Sequence, residues 1–416
     1  MSPLGGPWAG ARRILAVRLD ALGDVVMTTP ALRALAASHA ETRLTLLTSP
    51  AGATVAPLLE SVDDVIVHDV PWMKPRPSYG AGPDDGEAER ALVERLRAER
   101  FDGAVIFTVH TQSALPAALL CHLAGIPLRL AHSRENPYRL LTDWVAEPEP
   151  DAPLRHEVRR QLDLVATIGA TSEDDHVAVR VPADAARRVR ARLAAAGLSA
   201  GRPWVLIAPG ATASSRRYPA DRFAAAARIL ATEHGWQVVV VGTAEERNAV
   251  RLIADAAGSS GIALPGLLDV GELTAAIAAA PVLIANNSGP SHLGAAVGTP
   301  VVTLYALTNL QHAPWTDDTR VLANDVPCKG CRRSVCPAGH HACLRGIPPQ
   351  AVAEAAVELR AGRPAIRVLP AGILGAGSMT SVAADVQAAA VHVPAAAPLH
   401  GPAVRAMADR IARGVA

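Results

Sequence analysis

The stretch NNSGPSHLGAAVGTPVV, Asn286–Val302, decides the fold of the second half of the chain. Apolar runs flank it, PVLIA before it and VVTLYA around its end. The pattern predicts a strand, a loop containing Gly289, a short helix with Pro290 as its first residue, and a further strand. Proline at the first helical position and Gly298 after the last turn are ordinary helix boundaries. The same loop could instead bind a phosphate, because free N–H groups at a helix start attract anions.

The same alternation of strands and helices runs through the whole chain. RRILAVRL (12–19) is a predicted strand, followed by a helix over about 25–37 and by strands over 43–48 and 62–70. WVLIAPG and WQVVVVG are nearly continuous apolar runs, as buried parallel strands require. We therefore predict an α/β protein with two Rossmann-like, doubly wound domains that face a central cleft. The predicted domains cover 12–197 and 203–361, and an Ala/Pro/Gly-rich tail covers 362–416.

Composition excludes several classes of protein. Hydrophobic residues make up 50% of the chain and charged residues 19%, which indicates folded domains rather than a disordered chain. Aromatic residues are only 3% and the net charge is +1, so a nucleic-acid partner is not expected. No apolar run approaches the ~20 residues that span a bilayer, and ILAVRL is too short for a signal peptide. We expect a cytoplasmic protein without a transmembrane segment.

Asp24 lies in RLDALGDVVMTTPALRAL, at or just before a predicted helix start. An aspartate there is a favoured helix cap and suits the positive end of the helix dipole. It could equally be a carboxylate at the edge of the sheet, facing the cleft, where it would serve as a general base. The stretch alone leaves both interpretations open.

APGATASSRRYPADRF, residues 208–223, places hydroxyl and guanidinium groups after another predicted strand. Thr212, Arg216 and Arg217 are candidate ligands for phosphate, since guanidinium groups bind phosphate oxygens in pairs. The alternative is a solvated turn with two surface arginines. The chain has no GxxxxGK[ST] loop and no GxGxxG motif after a strand, so neither a P-loop nor a dinucleotide fingerprint is present.

Four of the five cysteines cluster late in the sequence as C-x2-C-x4-C-x6-C, with two histidines inside the cluster. The cysteines are Cys328, Cys331, Cys336 and Cys343. Such a set could hold a tetrahedral structural zinc, although zinc sites usually pair two short spacings. The alternative is a compact cysteine-rich loop, and in either case we expect a structural role. Cys121 lies in an apolar helix and is predicted to be part of the core.

Together, three stretches resemble the ADP-heptose:lipopolysaccharide heptosyltransferase family, glycosyltransferase family 9. They are ILAVRLDALGDVVMTTPALRAL, PGATASSRRYPADRF and NNSGPSHLGAAVGTPVVTLY, in the family's order and spacing. The late CRRSVCPAGHHACLRGI is similar to a tract of many members, and the resemblance covers about 12–360. It implies a GT-B fold with the acceptor on the first domain and the nucleotide-sugar donor on the second. It also implies inversion at the anomeric carbon without a metal or other cofactor.

The resemblance also implies roles for individual residues. Asp24 matches the proposed base, and Arg216 falls where the family often has a basic residue near the donor phosphates. Asn287, Ser288 and Gly289 fall on the loop that contacts the donor, and His292 falls on the family's histidine. Asn287 stands where an aspartate is usual. The predicted donor site comprises Thr212, Arg216, Arg217, Asn287, Ser288, Gly289 and His292.

Three functions remain open at this stage. The first is heptose transfer from ADP-heptose to a lipopolysaccharide core or related glycan or glycolipid at the inner membrane face. The second is the same fold with another nucleotide sugar, an alternative that Asn287 keeps open. The third is a non-catalytic sugar-nucleotide-binding scaffold. The loop over 71–86, with Lys74 and Arg76, could contact an anionic acceptor, or it could be an ordinary surface loop. The last helix of the tail could lie on a membrane surface, or it could be an ordinary terminal helix.

Overall fold

Two six-stranded parallel sheets organise the chain, one in each half. The computed structural model describes residues 4–73, 86–147, 155–309 and 311–362. The predicted tail, Lys74 and Arg76 lie outside these residues. No helix among the described residues is long and apolar enough to cross a bilayer.

Within the described residues, the first half carries six strands and six helices. The strands are β1 Arg13–Arg18, β2 Arg43–Thr48, β3 Asp64–Val67, β4 Gly103–Ile106, β5 Leu128–Ser133 and β6 Asp143–Ala146. The helices are α1 Leu22–Ala36, α2 Pro50–Ala53, α3 Glu87–Glu99, α4 Leu115–Leu123, α5 Glu157–Ala166 and α6 Ala183–Ala195. Two short 3-10 turns lie at Gly6–Gly10 and Ala56–Leu58.

Among the residues described, the second half has the same number of strands and helices. Its strands are β7 Trp204–Ala208, β8 Gln237–Gly242, β9 Gly261–Pro265, β10 Leu283–Asn286, β11 Val301–Leu304 and β12 Thr319–Leu322. Its helices are α7 Ala220–Thr232, α8 Arg247–Ala256, α9 Val270–Ala279, α10 Gly289–Ala296, α11 Ala342–Arg345 and α12 Pro349–Arg360. The 3-10 turns are Ser214–Arg216 and Gly258–Ser260.

The two sheets have the same topology. The first runs β3-β2-β1-β4-β5-β6, and the second, read from its other edge, runs β9-β8-β7-β10-β11-β12. This is the doubly wound order, in which the chain direction across the sheet reverses between the first and fourth strands of each half. Ligands of such sheets bind outside the carboxyl ends of the strands at that switch point. The predicted α/β architecture of two Rossmann-like halves is confirmed.

Helices from both halves share one buried core. α1 packs against α5 and against α10 of the second half, and α6 packs against α9. A continuous apolar cluster includes Met27, Leu164, Leu193, Ile277 and Leu293, which come from these five helices. The core therefore holds the carboxyl edges of β1 and β10 in a fixed relation. The exact domain limits remain a prediction.

Several elements differ from the sequence-based expectation. α1 begins at Leu22 rather than near residue 25, which places Asp24 inside the first turn. β3 covers four residues instead of the nine predicted over 62–70. β5 and α5 are among the elements that were not predicted from the sequence, because buried charged residues in them interrupt the apolar pattern. Arg129 of β5 is 7% exposed and Glu157 of α5 is 0% exposed, as each has polar partners inside the fold.

Gly294 lets α10 lie directly on its sheet, and we expect Gly294→Ala to destabilise the protein. A Cβ at this position would come within 2.7 Å of Val301 Cγ2 and 3.0 Å of Leu283 Cδ2. The steric cost of about 1–3 kcal/mol should outweigh the gain of about 1 kcal/mol in helix propensity. Urea denaturation measures the effect. Gly10→Ala is the control, since a Cβ there meets nothing within 4 Å; equal midpoints for both variants would contradict the packing argument.

Candidate active site

The first turns of α1 and α10 meet in the cleft between the two sheets. Each helix follows a strand that borders a switch point, α1 after β1 and α10 after β10. Gly23 lies so close to His292 that a Cβ would approach its Cδ2 to 2.6 Å, and a Cβ at Gly289 would lie 3.2 Å from Leu22 Cδ2. Helix N-termini carry partial positive charge and unpaired N–H groups, so two of them facing one another create a site for anions.

Asp24 projects from the first turn of α1 into this region. Its Oδ2 accepts a hydrogen bond from the Ala21 backbone N–H at 3.2 Å, and its Oδ1 lies 3.4 Å from Arg18 Nη2. The side chain keeps 19% of its surface exposed. The backbone and the arginine therefore fix the carboxylate while part of it faces the cleft, which is the geometry that a general base needs.

Arg18 is a fully buried guanidinium surrounded by three carboxylates. Besides Asp24, its Nε lies 3.1 Å from Asp20 Oδ2 and its Nη1 lies 3.1 Å from Glu157 Oε1. Burial and the neighbouring Asp24 charge raise the pKa of Asp20 to about 6, although Arg18 and a hydrogen bond from Gln112 oppose this. One arginine thus joins the end of β1 to α1 and α5.

Glu157 continues this ionic chain on α5. Burial alone would raise its pKa, yet the His312 imidazole and the Arg18 and Arg160 charges bring the pKa of Glu157 well below its usual range. Arg160 also binds Glu147 through Nε at 2.6 Å and donates to the Thr108 carbonyl. Breaking a buried ion pair of this kind leaves an uncompensated charge, so these residues fix one another.

The loops after β7 and β10 are tied together by side chains. Asn286 Oδ1 accepts the Tyr218 backbone N–H at 3.0 Å, and its Nδ2 donates to the Pro209 carbonyl at 2.6 Å. Ser288 Oγ donates to the Gly210 carbonyl at 3.0 Å. The Ser288 hydroxyl therefore braces the loop, and the Ser288 backbone N–H donates to Ser291 Oγ at 3.4 Å, which leaves the Gly289 end of α10 to face a ligand.

Several buried polar atoms near the start of α10 make no hydrogen bond within the described residues. They are Nε of Arg216, Nδ1 of His292 and amide atoms of Asn287, whose side chain lies beside the Tyr305 hydroxyl. Buried polar atoms in folded proteins are nearly always paired, so a group of unpaired ones indicates a site for a polar ligand. Burial lowers the pKa of His292 to about 4, with His312 and Arg216 adding to the effect, so the ring is neutral at pH 7.

The two predicted arginines occupy different positions. Arg217 is exposed, and its Nε donates to the Ala211 carbonyl at 2.6 Å, so its fork turns back onto its own loop. Arg216 ends the 3-10 turn, and its charge reaches His292 and Tyr305 beside α10. Thr212 is exposed on the same loop. The structure therefore brings Arg216, but not the Arg217 fork, towards Asn287 and His292.

Glu246 and a cavity on the first half were not selected by sequence analysis. The Glu246 carboxylate lies over Gly210, so close that a Cβ at Gly210 would overlap it, and accepts the Thr243 N–H at 2.9 Å. A cavity of about 290 Å³ opens at the β1/β4 switch point, next to Asp20. Trp72 and Gln112 are among its lining residues. No sequence signal marked either feature, because both depend on residues distant in the chain.

The cysteine segment braces the loop after β7. Cys328 Sγ lies 3.8 Å from His340 Nε2, but the described residues contain no group of three or more ligating side chains that could hold a metal. All four cysteines are free thiols. The Ser215 backbone N–H donates to the Ser334 carbonyl at 3.0 Å, which links the segment to the 3-10 turn of Arg216. Cys121 is buried as predicted, and burial raises its thiol pKa to about 12.

Buried neutral histidines make the fold acid-sensitive, and we expect stability to fall between pH 7 and pH 5. Burial holds the pKa of His110, His132 and His292 at about 4 and that of His156 at about 3. The unfolded chain binds these protons near pH 6.5, so below that pH protonation favours unfolding. Asp20 has a raised pKa of about 6, so its protonation stabilises the folded state as the pH falls. This is one group, whereas four histidines destabilise the folded state over the same range. Urea midpoints at constant ionic strength measure the change; a midpoint at pH 5 equal to that at pH 7 would contradict it.

Comparison with known proteins identifies the family. The sequence profile of glycosyltransferase family 9 (heptosyltransferase) matches residues 89–342. Lipopolysaccharide heptosyltransferase 2 of Escherichia coli K12 is 27% identical over 350 residues, which cover 82% of this chain and 97% of that protein.

Solved structures share the fold. The E. coli ADP-heptose lipopolysaccharide heptosyltransferase II superposes with a TM-score of 0.66 at 24% identity, covering 84% of this chain and 99% of that one. E. coli heptosyltransferase WaaC, solved with ADP-2-deoxy-2-fluoro heptose, gives a TM-score of 0.58 at 19% identity, with 82% and 98% covered. The two sheets with facing carboxyl edges are thus the GT-B arrangement. Because the family profile spans more than half of its residues, the chain belongs to glycosyltransferase family 9, the heptosyltransferases.

Proposed function

We propose that this glycosyltransferase moves a heptose from ADP-heptose to a lipopolysaccharide core or related cell-envelope glycan, with inversion and without a metal ion. The observation that carries the proposal is the position of Asp24 in the first turn of α1, next to Gly23, whose Cβ position would lie 2.6 Å from His292 Cδ2 of α10. The family profile begins at residue 89, so the role of Asp24 rests on this geometry and on the resemblance of its motif. The donor is proposed from the relatives, which include an ADP-heptose heptosyltransferase and one solved with an ADP-heptose analogue.

The donor diphosphate fits the first turn of α10. The Gly289 backbone N–H and the helix dipole would face its oxygens, as at other anion sites of this kind. Arg216 supplies a full positive charge on the neighbouring loop. As the bond to ADP breaks, negative charge grows on the leaving phosphate, and fixed donors stabilise that charge without rearranging.

Asp24 acts from the opposite side. An acceptor hydroxyl gives its proton to the Asp24 carboxylate as its oxygen forms a bond to the anomeric carbon. The bond from that carbon to the β-phosphate oxygen breaks, and ADP leaves with the electron pair. Attack opposite the leaving group inverts the configuration, through a transition state with oxocarbenium character. The base comes from the first half and the leaving-group site from the second, so both must be in place together.

Asn287 and His292 are suited to the donor sugar. Both are buried and carry unpaired hydrogen-bonding atoms beside α10. A neutral imidazole and an amide can each donate and accept, as sugar hydroxyl groups require. Because Asn287 replaces the aspartate usual in the family, a different nucleotide sugar is the second candidate donor. Membership of the family favours either transferase over a non-catalytic scaffold.

The acceptor fits the cavity at the β1/β4 switch point. Trp72 offers an apolar ring face, and Asp20 and Gln112 offer polar groups to sugar hydroxyls. The cavity borders Asp20, and Arg18 connects Asp20 to Asp24, so a sugar bound there would lie beside the base. The relatives named as lipopolysaccharide heptosyltransferases support a glycan or glycolipid acceptor, which the cell presents at the inner membrane face.

Asp24→Asn should lower kcat by about 10²- to 10⁴-fold, because the amide cannot accept the acceptor proton. ADP affinity should stay within about two-fold, since the amide keeps the shape of the side chain. Asp269→Asn is the matched control, another helix-start aspartate, which caps α9 through the Glu272 N–H at 2.7 Å. Transfer from ADP-heptose is followed by ADP release with an acceptor extract; an Asp24→Asn rate equal to the control's would remove Asp24 from the mechanism.

Adjacent arginines provide a second test. Arg216→Gln should weaken ADP binding by about ten- to hundred-fold, the loss of a charged hydrogen bond, whereas Arg217→Gln should change it little. Calorimetry with ADP, UDP and GDP in the presence of EDTA measures both variants and the base preference. Equal effects of the two substitutions would contradict the assigned phosphate site. Preference for UDP or GDP would keep the fold but replace the donor.

A further inference from the structure

His312 lies between the carboxylates of two helices. Its Nδ1 is 3.9 Å from Asp24 Oδ1 on α1, and its Nε2 is 3.8 Å from Glu157 Oε2 on α5. Its side chain is 8% exposed. The residue follows β11 in the second half of the chain, whereas both carboxylates belong to the first half. Sequence analysis did not select it, and the resemblance assigned it no role.

The segment around His312 is firmly attached to α5. The Glu157 backbone N–H donates to the Gln311 carbonyl at 3.1 Å, and Gln311 Nε2 donates to the Arg155 carbonyl at 3.1 Å. His156 Nε2 lies 2.8 Å from the Ala313 carbonyl. These contacts on both sides of His312 fix its backbone, so the position of the ring follows from the fold.

Two carboxylates and an amide surround the His312 ring. Asp24 and Glu157 face its two nitrogens, and the neutral Asn309 amide lies 3.5 Å from each. The neighbouring rings of His156 on α5 and His292 on α10 remain neutral, because burial lowers the pKa of His156 to about 3 and that of His292 to about 4.

Arg18 on β1 forms ion pairs with three carboxylates, those of Asp20, Asp24 and Glu157. Carboxylates only accept hydrogen bonds, and an imidazole donates from both nitrogens only when it is protonated. Facing one carboxylate with each nitrogen, the His312 ring can donate to both of them only when it is protonated. Arg160 lies 3.9 Å from Glu157 but is not paired with Asp24, so on the Asp24 side the ring adds a second partner to Arg18.

We propose that His312 is a positioning residue for Asp24: its protonated ring spans Asp24 and Glu157 and keeps the Asp24 carboxylate ionised and oriented towards the acceptor. The inference rests on the proposed role of Asp24 as the base. It adds a link from the second half of the chain to the base on the first. A missing or displaced 311–313 segment would leave the base without this partner.

Protons on the two residues are coupled, and the coupling is reciprocal. If the His312 charge favours ionised Asp24, then ionised Asp24 favours protonated His312 by the same free energy. The observed pKa values then describe the coupled pair of His312 and Asp24 rather than either residue alone. This gives a test that does not require the enzyme to turn over.

Histidine NMR on the full chain provides that test. The chain has 14 histidines, and the ¹³C-imidazole signal absent from His312→Gln identifies His312. Asp24→Asn should move the titration midpoint of that signal to lower pH by about one unit, the smaller end of the effect of an opposite charge at 4–6 Å. The His176 signal should not move, since its partner is Asp174 at 2.9 Å. An unmoved His312 midpoint in Asp24→Asn would overturn the inference.

The pH profile of kcat/KM is the functional readout. In His312→Gln the acid limb should move to higher pH by about one unit, with rates converging on wild type at high pH, where the wild-type ring loses its charge. A merely structural role would lower the rate equally at every pH, and that outcome would overturn the inference. His176→Gln is the matched control at an exposed histidine paired with a carboxylate.

His312→Asn replaces His312→Gln if the latter fails to fold, while Asp24→Asn tests the pair with the ring intact. Absence of transfer by the wild type with any nucleotide sugar would count against the proposed function. In that case the NMR midpoint still decides whether His312 and Asp24 are coupled.

Discussion

The buried guanidinium of Arg18 is the constraint on which the site depends. It is fully enclosed at the end of β1 and lies within 3.4 Å of carboxylates from the following loop, α1 and α5. An ion buried without partners costs several kcal/mol, so the fold is stable only when those carboxylates are in place. The same requirement orients Asp24. Stability of the first half and geometry of the base are therefore consequences of one interaction.

A repeated topology explains where the chemistry occurs. Each sheet has its switch point beside its first strand, and the shared helical core brings the two carboxyl edges together. A helix start from each sheet then faces the same space. One start carries Asp24 and the other presents N–H groups with Arg216 nearby. The proposed base and the proposed anion site would then lie on opposite sides of the cleft, as displacement at an anomeric carbon requires.

The sequence predicted those parts of the molecule that depend on local order. Apolar strands and the approximate starts of α1 and α10 could be read from short stretches, because caps and hydrophobic periodicity act over a few residues. The exact starts differ, since α1 begins at Leu22 and α10 at Gly289, one residue before Pro290. The ionic chain could not be predicted. Arg18 and Glu157 are 139 positions apart, and a buried charge interrupts the very pattern that marks buried elements. His312 could not be predicted either, because its partners Asp24 and Glu157 are distant from it in the sequence.

The directions of side chains within the predicted loops could not be predicted from the sequence either. Ser288, Arg216 and Arg217 occupy the loops that the motif indicated, but their sequence gives no orientation. Ser288 Oγ and the Arg217 fork bind backbone carbonyls, while Arg216 extends towards α10. Neighbouring arginines of the same type thus have different surroundings, which only the packing of the cysteine segment and the 3-10 turn determines.

The most direct measurement of the central claim is a crystal structure of the protein with ADP-heptose and no acceptor. We expect the diphosphate at the first turn of α10, within hydrogen-bond distance of the Gly289 N–H and the Arg216 guanidinium. We also expect the anomeric carbon to turn its free face towards Asp24. A diphosphate bound elsewhere, or an Asp24 carboxylate on the same face as the leaving phosphate, would contradict both the assigned site and inversion.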